Sequence, residues 1–207
     1  MIAIVDYGVG NLYSLERSFH AIGAQVTVTA DPAVLEQADK ILLPGVGAFG
    51  DAAEKLRATG LDKVVIQQAQ KGKPLMGICL GMQLLFEEGH EYGCHRGLGL
   101  IPGKVVPISN VIPQELKIPH MGWNALKFTQ ESPLFANIRE GDCVYFVHSF
   151  YAADCAADTI ATAEYGADLT AAVQRGNVFG CQFHPEKSGT VGLAILKAFA
   201  EMEAKQC

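Results

Sequence analysis

A chain of 207 residues that is 49% hydrophobic and 18% charged has the apolar mass for one α/β domain with a sizeable core. Its formal charge of −6, without a run of like charges, argues against nucleic acid as a partner, and no stretch approaches the ~20 apolar residues of a membrane span. The six cysteines (Cys79, Cys94, Cys143, Cys155, Cys181 and Cys207) contain no C-x-x-C pair and no zinc spacing, so a reduced, cytoplasmic chain without metal or other cofactor is expected.

In chain order, the apolar start lacks a basic region before it and reads as a strand, Ile2 to Asp6, and not as a signal peptide. The turn Gly8-Val9-Gly10-Asn11 follows; it falls short of a G-x-G-x-x-G spacing, so dinucleotide binding is not expected. Leu12, Leu15, Phe19 and Ile22 then recur at helical spacing up to Gly23. Strands are predicted at Val26 to Thr29 and Lys40 to Leu43, and helices near Ala52 to Ala58 and Leu61 to Gln70. Leu75 to Ile78 is a further strand and Leu80 to Glu88 a further helix. This alternation predicts right-handed crossovers and an open, mostly parallel sheet, with ligands at the carboxyl ends of its strands.

The second half changes character. Short strand-like runs occur at Lys104 to Ile108, Cys143 to Phe150, Thr159 to Ala163, Ala171 to Gln174 and Val178 to Phe183, with Arg175-Gly176-Asn177 as a hairpin turn. A last helix is predicted over Gly189 to Lys205. No repeat or linker composition divides the chain, so residues 1–207 are expected to form a single domain.

Three segments carry chemistry. In Gly77-Ile78-Cys79-Leu80-Gly81-Met82-Gln83 an apolar strand meets a glycine-flanked cysteine and a helix begins at once. This is the cysteine form of the strand–nucleophile–helix elbow. Side chains at Gly77 or Gly81 would obstruct the turn, and the helix start favours an anion at the sulfur. The Leu80 N–H is placed to meet an oxyanion. A buried structural cysteine is the alternative for Cys79, and the paired glycines argue against it.

The second segment is Gln182-Phe183-His184-Pro185-Glu186-Lys187. A thiolate attacking an amide needs an acid for the leaving nitrogen, and a carboxylate can hold that imidazole in one orientation. His184 and Glu186 are two residues apart and share a side in extended backbone, to which Pro185 biases His184. The third segment, Leu43-Pro44-Gly45-Val46-Gly47-Ala48-Phe49-Gly50, can bring backbone N–H groups to a ligand, and Gly47 is a candidate second oxyanion donor. It lacks the ending of a P-loop.

Taken together, these residues resemble the class I, triad-type glutamine amidotransferases. Asp6-Tyr7-Gly8, Gly97-Leu98-Gly99-Leu100-Ile101-Pro102-Gly103, Pro119-His120-Met121-Gly122-Trp123-Asn124 and Tyr145-Phe146-Val147-His148-Ser149-Phe150 are similar to the branch that forms the glutaminase subunits of imidazole glycerol phosphate synthases. The resemblance extends from Met1 to Ser188. It implies a flavodoxin-like sheet with helices on both faces and added antiparallel strands. It implies Cys79, His184 and Glu186 as a triad and Gly47 and Leu80 as oxyanion donors. Gln83, Gly47, Ser149 and Phe150 would lie by the glutamine substrate. Asn11, Trp123, Tyr145 and Lys187 would fall near a partner, a cyclase subunit with a (β/α)8 barrel that completes a heterodimer in histidine biosynthesis. Phe150 stands where a Tyr is common, and the segment Gly89 to His95 is unusually rich in His and Cys, read as loop variation. The competing readings are an anthranilate-type amidotransferase subunit, a redox or stress protein with a reactive elbow cysteine, and an idle interaction subunit.

Overall fold

The computed structural model describes residues 1–202. Its first half runs β1 (Ile2–Val5), α1 (Leu12–Ala21), β2 (Val26–Thr29), α2 (Pro32–Gln37), β3 (Lys40–Leu43), α3 (Phe49–Ala58), α4 (Leu61–Gln70), β4 (Leu75–Ile78) and α5 (Leu80–Gln83). Two short strands, β5 (Glu88–Gly89) and β6 (His95–Arg96), are followed by β7 (Lys104–Pro107), β8 (His120–Ala125) and β9 (Lys127–Phe128). Then come β10 (Cys143–His148), β11 (Phe150–Ala153), β12 (Thr159–Glu164), β13 (Asp168–Arg175), β14 (Val178–Cys181) and α6 (Gly189–Glu201). The expected continuation of the last helix to Lys205, and Cys207, lie outside the described residues.

The main sheet has the order β2–β1–β3–β4–β14–β13–β12–β9. It is parallel from β2 to β14 and antiparallel from β14 to β9. This is the expected α/β architecture: a parallel, doubly covered half with antiparallel strands added. The central strands β1, β4 and β14 are buried along their whole length, which explains their unbroken apolar sequence. Alternate side chains feed two separate cores. Ala3, Val5, Ile41, Leu43 and Leu75 pack with Leu35 of α2, Leu56 of α3 and Val65 of α4. Ile2, Ile4, Leu42, Met76 and Ile78 pack with Leu15 and Phe19 of α1 and with Ile195, Leu196 and Phe199 of α6.

Several elements depart from the sequence-based expectation. α2 is an addition; Asp31 caps it by accepting from the Ala33 N–H at 2.9 Å, with Pro32 in its first turn. α5 stops at Gln83, although a helix to Glu88 is expected. The carbonyls of Leu84, Leu85, Phe86 and Glu87 accept instead from the amides of Leu98, Leu100 and Ile101, Gly99, and Gly97, so a neighbouring segment replaces the helical partners. The single expected run from Cys143 to Phe150 splits at Ser149. β10 pairs with β8 and β11 with β7, so the chain changes sheets there. None of the described helices is long and apolar enough to cross a membrane.

Candidate active site

The elbow forms where β4 ends. Cys79 adopts φ 54° and ψ −114°, a conformation that costs a non-glycine residue about 1–3 kcal/mol and persists because its surroundings enforce it. The Cys79 N–H bonds the Cys181 carbonyl at 2.8 Å, tying the elbow to β14. The glycines are spatial necessities. A Cβ on Gly77 would lie 2.5 Å from the Gly81 carbonyl oxygen, and one on Gly81 would lie 1.9 Å from that of Leu43. Because α5 is only one turn long, its dipole is small, and any anion at Cys79 depends on the nearby N–H groups more than on a long helix.

His184 follows β14, the strand beside β4, so neighbouring strands carry the cysteine and the histidine to one sheet end. Its backbone is fixed on both sides. The His184 N–H donates to the Tyr145 carbonyl at 2.9 Å, and its carbonyl accepts from the Ser188 hydroxyl at 2.6 Å. His184 is extended as expected, but Glu186 sits in a 3₁₀ turn over Pro185–Lys187, not in a strand. That turn still brings the Glu186 Oε1 within 2.8 Å of His184 Nδ1. A carboxylate only accepts, so Nδ1 carries the hydrogen and Nε2 is left for Cys79. Burial pulls the imidazole pKa down. The sulfur of Cys79 and the carboxylate of Glu186 outweigh it and hold the proton to about 9. Both side chains of the pair are almost wholly enclosed.

The glycine loop crosses above Cys79. At one end the buried Tyr7 hydroxyl donates to the Pro44 carbonyl at 2.8 Å; at the other the Phe49 N–H donates to Glu91 Oε2 at 2.7 Å. Among the described residues, Gly45, Val46 and Gly47 make no hydrogen bond between these two pins. Gly47 has φ 93°, which glycine adopts without strain. Burial, aided by the charge at Cys79, pushes the Tyr7 hydroxyl pKa up, so it remains a donor.

A pocket of about 360 Å³ collects Gly47, Cys79, Leu80, Gln83, Ser149, Phe150, His184 and Lys187, eight of the residues singled out in the sequence. Gln83 Nε2 donates to the Phe150 carbonyl at 3.3 Å and to Gln182 Oε1 at 3.0 Å, and Gln182 Nε2 points to the Cys79 sulfur at 3.8 Å. A wider groove along residues 128–136 holds no nucleophile–base pair, so chemistry and not size marks the site. Sequence reasoning assigned no role to Tyr7, Glu91 or Gln182. Glu91 lies in the His-rich segment set aside as loop variation, and only the fold carries it to the pocket.

The four residues expected near a partner come from separate elements. Asn11 precedes α1 beyond the end of β1. Trp123 is 55% exposed, faces Tyr145 across the β8–β10 ladder and meets its ring edge-on at 6.0 Å. Met121, 60% exposed, extends the apolar surface, and Lys187 sits at the pocket mouth.

Residues 3–202 match the glutamine amidotransferase class-I family. An imidazole glycerol phosphate synthase subunit HisH of Syntrophotalea carbinolica is 48% identical over 98% of this chain and 100% of its own length. The subunit of the same name from Sulfurimonas denitrificans is 50% identical over 97% of this chain and 98% of its own. A solved glutamine amidotransferase superposes with a TM-score of 0.76 at 19% identity, covering 97% of this chain and 98% of that one, a likeness that speaks for the fold alone.

Proposed function

The chain belongs to the class-I glutamine amidotransferase family, and from that membership we propose that it hydrolyses glutamine as the glutaminase subunit of an imidazole glycerol phosphate synthase in histidine biosynthesis. The observation that carries the chemistry is the enclosed His184–Glu186 pair at 2.8 Å, facing a cysteine held in a strained elbow. Nearly half of all positions are identical to full-length relatives of that name, which supports this acceptor pathway over an anthranilate-type one.

The Cys79 thiolate attacks the side-chain carboxamide carbon of glutamine. The oxyanion accepts from the backbone N–H groups of Leu80 and Gly47. His184 gives its Nε2 proton to the amide nitrogen as the carbon–nitrogen bond breaks, and ammonia leaves. A glutamyl thioester remains. His184 then takes a proton from water, the hydroxide attacks the thioester, and glutamate departs as the thiolate reforms. Glu186 keeps the imidazole oriented and stabilises its charge. Gln83 holds the strand at Phe150, while Ser149 and Phe150 border the amino-acid end of the substrate. Glu91 supplies an anion at the pocket wall, suited to an α-ammonium group.

The ammonia passes to a cyclase subunit with a (β/α)8 barrel, in the cytoplasm. Asn11, Trp123, Tyr145 and Lys187 form the docking side. Tyr145 ties that side to the catalytic base, since its carbonyl receives the His184 N–H. The unbonded stretch Gly45–Gly47 is free to present its N–H on docking, so the partner can switch hydrolysis on. The test is Cys79→Ala in the complex. Glutamine-driven synthesis is lost while synthesis from added ammonium continues; glutamine hydrolysis retained by this variant would falsify the assignment of the nucleophile.

A further inference from the structure

The loop between β5 and β6 has no part in the chemistry above except through Glu91, yet its other side chains converge. Glu88, His90 and Cys94 bring one carboxylate oxygen, one imidazole nitrogen and one sulfur within 4.8 Å of one another. Glu88 is the centre: the His90 Nε2–H donates to Oε1 at 2.8 Å, and the Cys94 thiol donates to Oε2 at 3.4 Å. We infer that Glu88, His90 and Cys94 bind one zinc-class divalent cation at the surface, apart from the catalytic pocket.

The backbone presets this convergence. Glu88 is fixed by pairing with Arg96 on one side and Lys104 on the other. The His90 N–H bonds the Val105 carbonyl at 2.8 Å. Tyr92 at φ 55° and Gly93 at φ 129° then turn the chain back, so that Cys94 returns to Glu88. Tetrahedral zinc, with bonds of about 2.0–2.3 Å, sets its ligand atoms roughly 3.5 Å apart. The observed cluster therefore needs only rotamer adjustments of exposed side chains.

The donor set chooses the metal. A thiolate and an imidazole suit zinc and its neighbours; calcium and magnesium require more oxygens than one carboxylate supplies. Three protein ligands leave a position for water. The charges balance, since thiolate and carboxylate neutralise a divalent ion, and the nearby Lys104 ammonium is engaged by Asp154 at 2.9 Å. Because zinc is held by thiolate, metal binding releases the Cys94 proton to solvent. His90 binds through Nε2 in the tautomer whose hydrogen sits on Nδ1, the metal replacing the Nε2–H that donates to Glu88 in its absence. A bound ion would close the hairpin whose loop carries Glu91, the residue pinning the Phe49 N–H.

The experiment uses the full chain under reducing conditions with Cys79→Ser, which removes the catalytic thiolate as a rival ligand. Cobalt(II) serves as the spectroscopic probe and zinc(II) as the competitor. One equivalent of cobalt should give a thiolate-to-metal charge-transfer band that zinc abolishes, and hydrogen exchange in residues 90–94 should slow. Adding Cys94→Ser should remove the band and weaken zinc binding at least ~100-fold, and adding His90→Ala should weaken it at least ~10-fold. Cys143→Ser, at the other exposed cysteine among the described residues, should leave both signals unchanged. Absence of the band, or its survival in Cys94→Ser, overturns the inference. None of these readouts depends on glutamine hydrolysis, so a negative result leaves the catalytic reading untouched.

Discussion

Gly81→Ala tests whether the catalytic geometry depends on how closely α5 approaches β3. Gly81 does not occupy the positive-φ region, so alanine fits its backbone and only space is at issue. The new Cβ would lie 1.9 Å from the Leu43 carbonyl oxygen, 2.8 Å from its carbon and 3.0 Å from the Pro44 carbonyl carbon. All three are backbone atoms, and no side chain can swing aside. Restoring van der Waals contact requires the elbow and the strand end to separate by more than about 1 Å, and a misplacement of that size costs ~10²-fold in rate. The same wedge parts Leu80 from the glycine loop, the two proposed oxyanion donors. Overpacking of this kind destabilises by about 1–3 kcal/mol, or ~2–4 °C in Tm per kcal/mol for a chain of this size. Steady-state ammonia release by the complex, with Tm and circular dichroism on the same preparations, reads both effects. A folded Gly81→Ala chain that hydrolyses glutamine within threefold of the parent would refute the argument from space.

The proton on His184, held to about 9 against an ordinary 6.5, makes ammonia release fall on the alkaline side. The pKa is raised in the fold, so the stabilisation it brings is complete below 6.5 and fades as pH rises through 9. Glu186→Gln removes the carboxylate and should move the alkaline limb of kcat/KM to lower pH; an unmoved limb would assign that titration to another group. Trp123→Ala removes an exposed aromatic anchor and should weaken binding of the cyclase partner by about 2 kcal/mol, measured by calorimetry, with the free chain's Tm nearly unchanged. An undiminished affinity would move the docking side elsewhere.

In the parallel half, β1, β3 and β4 were legible because they are largely buried and read as apolar runs between turn residues, and the half-buried edge strand β2 was legible from its β-branched residues. α2 was missed although Asp31-Pro32 is a strong start signal, because six residues show too little periodicity. The overlong reading of α5 has a different cause: Leu84, Leu85 and Phe86 suit a helix, and distant amides at residues 97–101 take their carbonyls instead. β8 escaped although Met121, Trp123 and Ala125 alternate, because Gly122 and Asn124 are poor strand formers and its pairing with β10 is fixed by tertiary contacts. Cys79, His184 and Glu186 stood out because their chemistry lies in local spacing. Glu91, Gln182 and Tyr7 did not, since each meets the site only through a contact made far along the chain.

The pairing of β4 with β14 has a consequence for how such a protein can be altered. Gly77 lies opposite Gly180 and Ile78 opposite Cys181, and the Cys79 N–H closes the ladder on the Cys181 carbonyl. The nucleophile is thus one hydrogen bond from the end of the strand that leads, three residues on, to its base, while the long stretch between β4 and β14 forms a single excursion that leaves this register and returns to it. The spacing of the reactive atoms is independent of the length of that excursion. Grafts or deletions at its outer turns, such as Gly141 or Gly166, should change what the protein docks with or how fast it folds while leaving the reactive pair in register.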